Sequence, residues 1–401
     1  MTAPERLLES ACDAPTEKRR CVLLTGATGL LGRYLLRDLA EQNVPVAVLV
    51  RPSRKAEPAQ RIEAMRLDWA RRGFDVPVPK VLAGDILSEN FGLDGDDRMW
   101  VAENCGSLLH NAASLSFVST GRQSEPWRSN VDGTANVLEF CRDAAIRRFH
   151  HVSTAYVAGK RTGVAYESEL DVGQEFGNPY EESKLQAETM VKAADFLDCV
   201  TTFRPGIIIG DSADGFTSTF HNIYAFLQIA HAMLPVARWD DAVGKPNASH
   251  YRFAMGETAT KHLVPVDWVS AAMAHIVARP NLHGRTYHLT PRVPIRVTLL
   301  RDMIEETCGY YGVRVTEQDV ELESDDEFLK MFMEQQKVYD SYWRDDPRFD
   351  DTNTRAAVPF ACPHVDRAML VKLANAAIAM RFRHNDPKVA KPTRAVDAVA
   401  T

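Results

Sequence analysis

Several things are scarce in this chain, and each scarcity excludes something. No apolar run reaches 18 residues, so no transmembrane helix is expected. Residues 1–19 are polar and carry no apolar stretch, so no secretory leader is legible and a cytoplasmic location is the expectation. The seven cysteines show no Cys-x-x-Cys and no regular framework, which points to reduced thiols rather than a disulfide scaffold. The twelve histidines lack metal-ligand spacing, and no metal site is expected. His150 and His151 fall in an apparent strand and would point to opposite faces, a structural reading. Basic residues do not exceed acidic ones: 47 stand against 54, for a formal charge of -7, and nothing supports nucleic-acid binding. No internal repeat is visible.

What is present is ordinary soluble composition, 45% hydrophobic and 25% charged, in a length suited to about two domains or one enlarged α/β unit. Short apolar runs alternate with helical patterns through the first half. Strands are predicted at 20–25, 45–50, 80–83, 107–110, 149–153 and from 200 to 203. Helices are predicted at 30–42, 59–72, 132–146 and 180–194. That alternation is the signature of a parallel sheet covered on both faces. Beyond about Gly210 the alternation stops. An apolar helix is predicted over Phe216–Leu234, strands at 262–265 and 286–289, and helices at 269–278, 299–311 and 365–382. Residues 317–351 are acidic and aromatic, a solvated connection with some buried rings. The expected organisation is a flexible 1–19, a Rossmann domain over 20–215, a smaller substrate-binding region over 216–384 that returns elements to the first, and a flexible tail over 385–401.

Gly26, Gly29 and Gly32 have the G-x-x-G-x-x-G spacing and lie directly between a strand and a helix. Such a turn lets backbone approach a diphosphate at a helix N-terminus. The second strand ends at Arg51, where an acid would bind the ribose 2′-hydroxyl of NAD. An arginine there suits the 2′-phosphate of NADP, with Arg33 and Arg54 as helpers. Asp85 and Ile86 follow the third strand and could meet adenine, although a plain turn explains them equally. Asn111, Ala112 and Ala113 follow the fourth, where backbone should pass the ribose and nicotinamide.

Tyr180 and Lys184 stand four residues apart on one helical face. A free phenol, with a pKa near ~10, is a poor acid-base at neutral pH. A neighbouring cation favours the phenolate and lowers that value. The pair is suited to moving a proton to or from a substrate oxygen, and Ser153-Thr154 ends a strand upstream.

These residues resemble the extended short-chain dehydrogenase/reductase family over roughly residues 20–300. The resemblance rests on Thr25-Gly-Ala-Thr-Gly-Leu-Leu-Gly32, Gly84-Asp-Ile86, His110-Asn-Ala-Ala113, Asn130-Val-Asp-Gly-Thr134, Val152-Ser-Thr154, Tyr180-x-x-x-Lys184 and Arg204-Pro-Gly206. It implies that Thr154 polarises a carbonyl, with Ser153 as neighbour or substitute. It implies that Tyr180 donates the proton and that Lys184 tunes it and holds the nicotinamide ribose. The implied NADP(H) site comprises Thr25, Gly26, Thr28, Gly29, Leu30, Leu31, Gly32, Arg51, Arg61, Asp85, Ile86, Asn111, Ala112, Ala113, Asn130, Tyr180, Lys184, Pro205, Gly206 and Ile207. Asn130 matches a family position without a role in proton relay following from it.

Within the family, Leu49-Val-Arg51 with Arg61, His151-Val-Ser-Thr-Ala-Tyr-Val157, Asn178-Pro-Tyr180 and Phe349-Asp-Asp-Thr-Asn353-Thr-Arg355 resemble fatty acyl-CoA reductases and thioester reductase domains. The implied reaction is NADPH-dependent reduction of an acyl thioester to an aldehyde, and on to an alcohol if a second hydride follows. No carrier-attachment Asp-Ser-Leu is present, so coenzyme A or a separate acyl carrier protein would bear the acyl group. A homodimer is compatible with the resemblance. An alcohol dehydrogenase, ketone reductase or sugar-nucleotide epimerase of the same superfamily is the alternative. A non-catalytic NADP-binding sensor is a remote one, since that variant commonly lacks the Tyr-Lys pair.

Overall fold

The computed structural model describes residues 19–54, 56–233, 238–240, 244–247, 252–253, 256–309, 311–316 and 344–384. The expectations for 1–18, for most of the acidic-aromatic stretch (317–343) and for the tail from 385 lie outside the described residues. Seven strands form one sheet: β1 (Cys21–Thr25), β2 (Val46–Val50), β3 (Lys80–Ala83), β4 (Cys105–His110), β5 (Arg148–Val152), β6 (Cys199–Pro205) and β7 (Thr286–Leu289). Every pairing is parallel and the order is 3-2-1-4-5-6-7. The order reverses at β1, between β2 and β4, and open α/β sheets bind ligands at the carboxyl ends of strands flanking such a point.

β1 and β2 are almost wholly apolar on both faces, as buried parallel strands tend to be. Val22 and Leu24 pack into a core with α1 (Leu30–Glu41), α2 (Pro58–Arg71) and α7 (Val266–Val277). Leu23 points the other way, into a core with α3 (Gly95–Asn104), α4 (Gly133–Asp143) and Val191 of α5 (Pro179–Lys192). A third core joins α6 (Ile223–Met233), α8 (Val297–Cys308) and α10 (Arg367–Ala379). Between α8 and α10 lies the short α9 (Thr352–Ala357). The later half also returns to the sheet: β7 pairs with β6, and Leu263–Pro265 pairs in parallel with Ile207–Ile209 just beyond β6.

The expected apolar helix over 216–234 is shorter than its composition suggests. It begins at Ile223. Upstream, the Thr217 hydroxyl donates to the Thr219 carbonyl at 2.7 Å, and Asn222 is left-handed at φ 55. Those local conformations stop a helix from propagating backwards. Five cysteines (21, 105, 141, 308 and 362) are free thiols. Cys199 is disulfide-bonded, against the expectation of reduced thiols. Among the described residues no helix is long and apolar enough to cross a membrane.

Candidate active site

α1 starts directly after the glycine turn. Gly26 is left-handed, at φ +71, and a Cβ there would sit 2.7 Å from the Ala112 nitrogen. A Cβ on Gly32 would meet the Gly26 carbonyl oxygen at 2.1 Å. Bare backbone therefore closes the first turn against the β4 end and seats α1 against that turn. Thr25 ties the two strand ends together. Its hydroxyl accepts from the Asn111 and Ala112 N–H groups at 3.1 Å each and donates to His110 Nδ1 at 2.9 Å. Burial drives the His110 pKa down to about 3, helped by the nearby Lys184 charge. The ring is therefore neutral and its Nε2–H donates to Thr134 at 3.2 Å.

Next to this frame lies a cleft of about 830 Å³. It is lined by every residue of the implied NADP(H) and proton-transfer set except Gly32 and Asn130, and the two helper arginines, Arg33 and Arg54, do not line it. Gly32 packs beneath the turn. Asn130 is a correction: its side chain faces protein, not the cleft. Its amide donates to the Ser114 carbonyl at 3.1 Å and the Ser183 hydroxyl at 2.9 Å, and its Oδ1 accepts from the Ser114 N–H at 2.8 Å. It sits in a wide π turn over Arg128–Asp132 and fixes the cleft wall to α5. Arg33 is a second correction. It is buried over the Phe216 ring and 3.7 Å from Asp68, away from the cleft. Arg61 does reach it, donating to the Arg51 carbonyl at 2.7 Å and the Thr28 hydroxyl at 2.9 Å. Arg51 is exposed beside it. Asp85 caps its own turn, accepting from the Leu87 N–H at 3.0 Å.

At the other end stand Thr154, Tyr180 and Lys184. Asn178 caps α5, accepting from the Glu181 N–H at 3.1 Å, and Pro179 opens its first turn. That start places Tyr180 and Lys184 one above the other. Lys184 Nζ is buried and donates to the Val152 carbonyl at 2.7 Å. Burial lowers its pKa to about 8, against the raising effect of Glu188. Thr154 hydrogen-bonds the Tyr180 phenol and thereby lowers its pKa, but burial outweighs this and pushes it up to about 12. The expected depression of the phenol pKa by Lys184 is thus not what the structure shows. The ammonium is committed to the Val152 carbonyl, and desolvation of the phenolate dominates. Tyr180 is a protonated donor throughout the physiological range.

Ser153 and Thr154 divide. Thr154 faces the phenol. Ser153 is among the groups that hold Glu188 in its charged form, after Arg204 and Lys192. Glu188 and Arg204 form a buried pair at 2.6 Å, and Arg204 also donates to His288 Nε2 at 3.2 Å. Two further phenols line the cleft, and both are engaged. Tyr156 donates to Asp346 at 2.7 Å, and Tyr224 accepts from the Gly210 N–H at 2.8 Å. The Phe117 ring meets the Tyr180 ring edge-on, centroids 5.7 Å apart. Leu115, Phe117, Val118 and Tyr224 complete the wall and had no motif to announce them. Phe226, by contrast, belongs to the third core and not to the cleft.

Fold and cleft together define the class: an NAD(P)-dependent oxidoreductase of the extended short-chain dehydrogenase/reductase type. An NAD-binding family model described as "Male sterility protein" matches residues 24–273. That is more than half of the chain, and the chain belongs to this family. It is 30% identical over 298 residues to the nonribosomal peptide synthetase asaC of Aspergillus flavus, covering 70% of this chain and 27% of that protein. It is 26% identical over 284 residues to the aldehyde reductase lnbA of the same organism, covering 67% of this chain and 26% of that one. The chain thus spans about a quarter of the length of these relatives. The terminal R domain from the myxalamid PKS-NRPS biosynthetic pathway shares the fold, with a TM-score of 0.71 and 24% identity over 93% of this chain and 94% of that domain.

Proposed function

We propose that the protein is an NADPH-dependent reductase of acyl thioesters, yielding an aldehyde. One observation carries the reading: a single cleft joins a glycine turn and two arginines at one end to Thr154, Tyr180 and Lys184 and then to an apolar wall. The residues fit a dinucleotide. Gly26 and Gly32 draw the turn against the β4 end and α1, which leaves bare backbone at the cleft edge to meet a diphosphate, and Arg61 with the exposed Arg51 would hold a 2′-phosphate. When bound, NADPH supplies the hydride that goes to the carbonyl carbon.

The chain's own residues do the rest. Thr154 holds the carbonyl oxygen by a hydrogen bond that strengthens as negative charge develops there. Tyr180 gives its proton to that oxygen. Lys184, buried one helical turn from the phenol, donates to the Val152 carbonyl and would hold a ribose hydroxyl with a remaining N–H. Collapse of the hemithioacetal then breaks the carbon–sulfur bond and releases aldehyde and thiol. The apolar wall of Leu115, Phe117, Val118 and Tyr224 suits an uncharged acyl chain. The likeness to a terminal R domain and to nonribosomal peptide synthetases supports a carrier-bound thioester, with the carrier on a separate molecule or as coenzyme A.

The test is NADPH consumption against acyl-CoAs, phosphopantetheine thioesters, aldehydes and ketones, with product identification. Aldehyde formed from a thioester is the expected result. Reduction of ketones or sugar nucleotides alone would replace this reading with that of an alcohol dehydrogenase or epimerase.

A further inference from the structure

Two residues late in the chain, Arg344 and Asp346, reach back to the catalytic end of the cleft. Asp346 is buried, and four groups converge on its carboxylate. The Tyr156 phenol donates at 2.7 Å, Lys261 Nζ at 2.7 Å and the His262 N–H at 3.1 Å, with His262 Nδ1 at 3.4 Å. Two residues earlier, Arg344 donates to Glu181 Oε1 at 2.8 Å and to the Gly159 carbonyl at 3.1 Å. These partners bracket the proton-transfer residues. The Tyr156 N–H donates to the Thr154 hydroxyl at 3.3 Å, and Gly159 closes the same turn, Ala155–Ala158. Glu181 adjoins Tyr180, is fully buried, and also accepts from the Gly177 N–H at 3.0 Å.

We propose that Arg344–Asp346 is a positioning strap for the proton-transfer site, with Asp346 acting through Tyr156 and Arg344 through Glu181. This rests on the reductase reading above. Two physical points favour it. A buried ion pair such as Lys261–Asp346 commonly adds little stability over apolar residues of the same size, so its presence asks for another purpose. The phenol it holds lines the cleft two residues from Thr154. Donating to a carboxylate leaves that phenol no proton to offer a substrate, so the strap both orients the Thr154 turn and leaves proton donation to Tyr180. Thr154 and Tyr180 lie on separate elements, and their relative placement is what a hydrogen-bonded transition state is most sensitive to.

Asp346 itself is a poor target, since its removal strands Lys261 in the core. Tyr156→Phe keeps the ring and the ion pair and removes only the hydroxyl. Arg344→Gln removes the positive charge that faces Glu181, and Arg344→Lys retains it. In the full chain, Tyr156→Phe and Arg344→Gln are expected to lower kcat about tenfold each, the scale of one charge-assisted hydrogen bond. NADPH affinity should stay near that of the parent for both and Tm near it for Tyr156→Phe; Arg344→Gln, which leaves the buried Glu181 without its cation, should also lower Tm, and Arg344→Lys should recover much of both losses. Unchanged kcat would overturn the strap, as would parallel loss of kcat, NADPH affinity and Tm. If the parent protein reduces no thioester or aldehyde, the reductase reading fails instead. Amide exchange then decides the strap by itself: Tyr156→Phe should speed exchange across 154–159, and Arg344→Gln across 177–183. Unaltered exchange there would overturn it.

Discussion

At the glycine-turn end of the cleft the walls are mostly backbone, and the contacts that shape them are steric. Gly26 and Gly32 work because they lack a side chain, and Thr25 bonds peptide groups on the neighbouring strand. At the Tyr180 end the walls are side chains held by buried polar clamps. Glu188 meets Arg204, Asp346 meets Tyr156 and Lys261, and Glu181 meets Arg344. The first kind of wall tolerates no added atom at Gly26 or Gly32. The second tolerates shape changes better than the loss of one partner, because a stranded buried charge has no water to turn to. Binding and chemistry in this protein are thus exposed to different kinds of mutation.

The sharpest way to break that contrast is at Gly32. Gly32→Ala should abolish measurable nucleotide binding, because the new methyl would lie 2.1 Å from a backbone oxygen that cannot move aside. Gly95→Ala, with nothing within 4 Å, is the control and should leave nucleotide titration unchanged. Equal behaviour of the two would remove the steric account.

At the other end, Glu188→Gln should destabilise the protein by about 3–5 kcal/mol, since it strips the buried Arg204 of its charged partner. Denaturant unfolding measures it, and a loss under about 1 kcal/mol would mean that water or His288 already compensates.

A pH series separates chemistry from stability. Burial holds Lys184 at about 8 rather than 10.5. Activity should therefore fall as pH rises through about 8, when the ammonium is lost. Between these two values the unfolded chain binds the proton that the folded chain has released, so the Lys184 contribution to stability rises with pH. Its cost is fully present below about 8 and fades towards 10.5. Rate and stability moving in the same direction there would contradict a buried, functionally charged Lys184.

The smallest expected effect is at the arginine end. Arg51→Ala should weaken NADPH binding about tenfold and leave NADH nearly untouched, the scale of one charge-assisted contact at an exposed site. Equal affinity of the parent protein for both cofactors would dismiss the role of Arg51.

The legibility of the two ends differs for the same physical reason. Strand-turn-helix and Tyr-x-x-x-Lys are local patterns, and Thr25, Arg51, Thr154 and Tyr180 line one cleft. Arg33 shares a helix with the glycine turn, yet helical rotation buries it over Phe216, which a spacing from the turn does not reveal. Asn130 carries the right motif, but its three hydrogen bonds face Ser114 and Ser183. The raised phenol of Tyr180 depends on burial created by distant segments, so the i, i+4 rule gave the wrong sign. The Tyr156–Asp346 and Glu181–Arg344 contacts span 190 and 163 residues, and no local pattern encodes such a pairing. The helix over 216–234 was overextended because apolar composition conceals a left-handed Asn222 and the Thr217 turn.

The central claim is that Tyr180 delivers the proton while the glycine-turn end binds the cofactor without it. The direct measurement compares single-turnover NADPH oxidation with an acyl-CoA by the parent protein and by Tyr180→Phe, alongside NADPH titration of both. The account predicts a rate lower by about 10²–10⁴ with NADPH affinity nearly unchanged. A Tyr180→Phe protein that oxidises NADPH at close to the parent rate would contradict it.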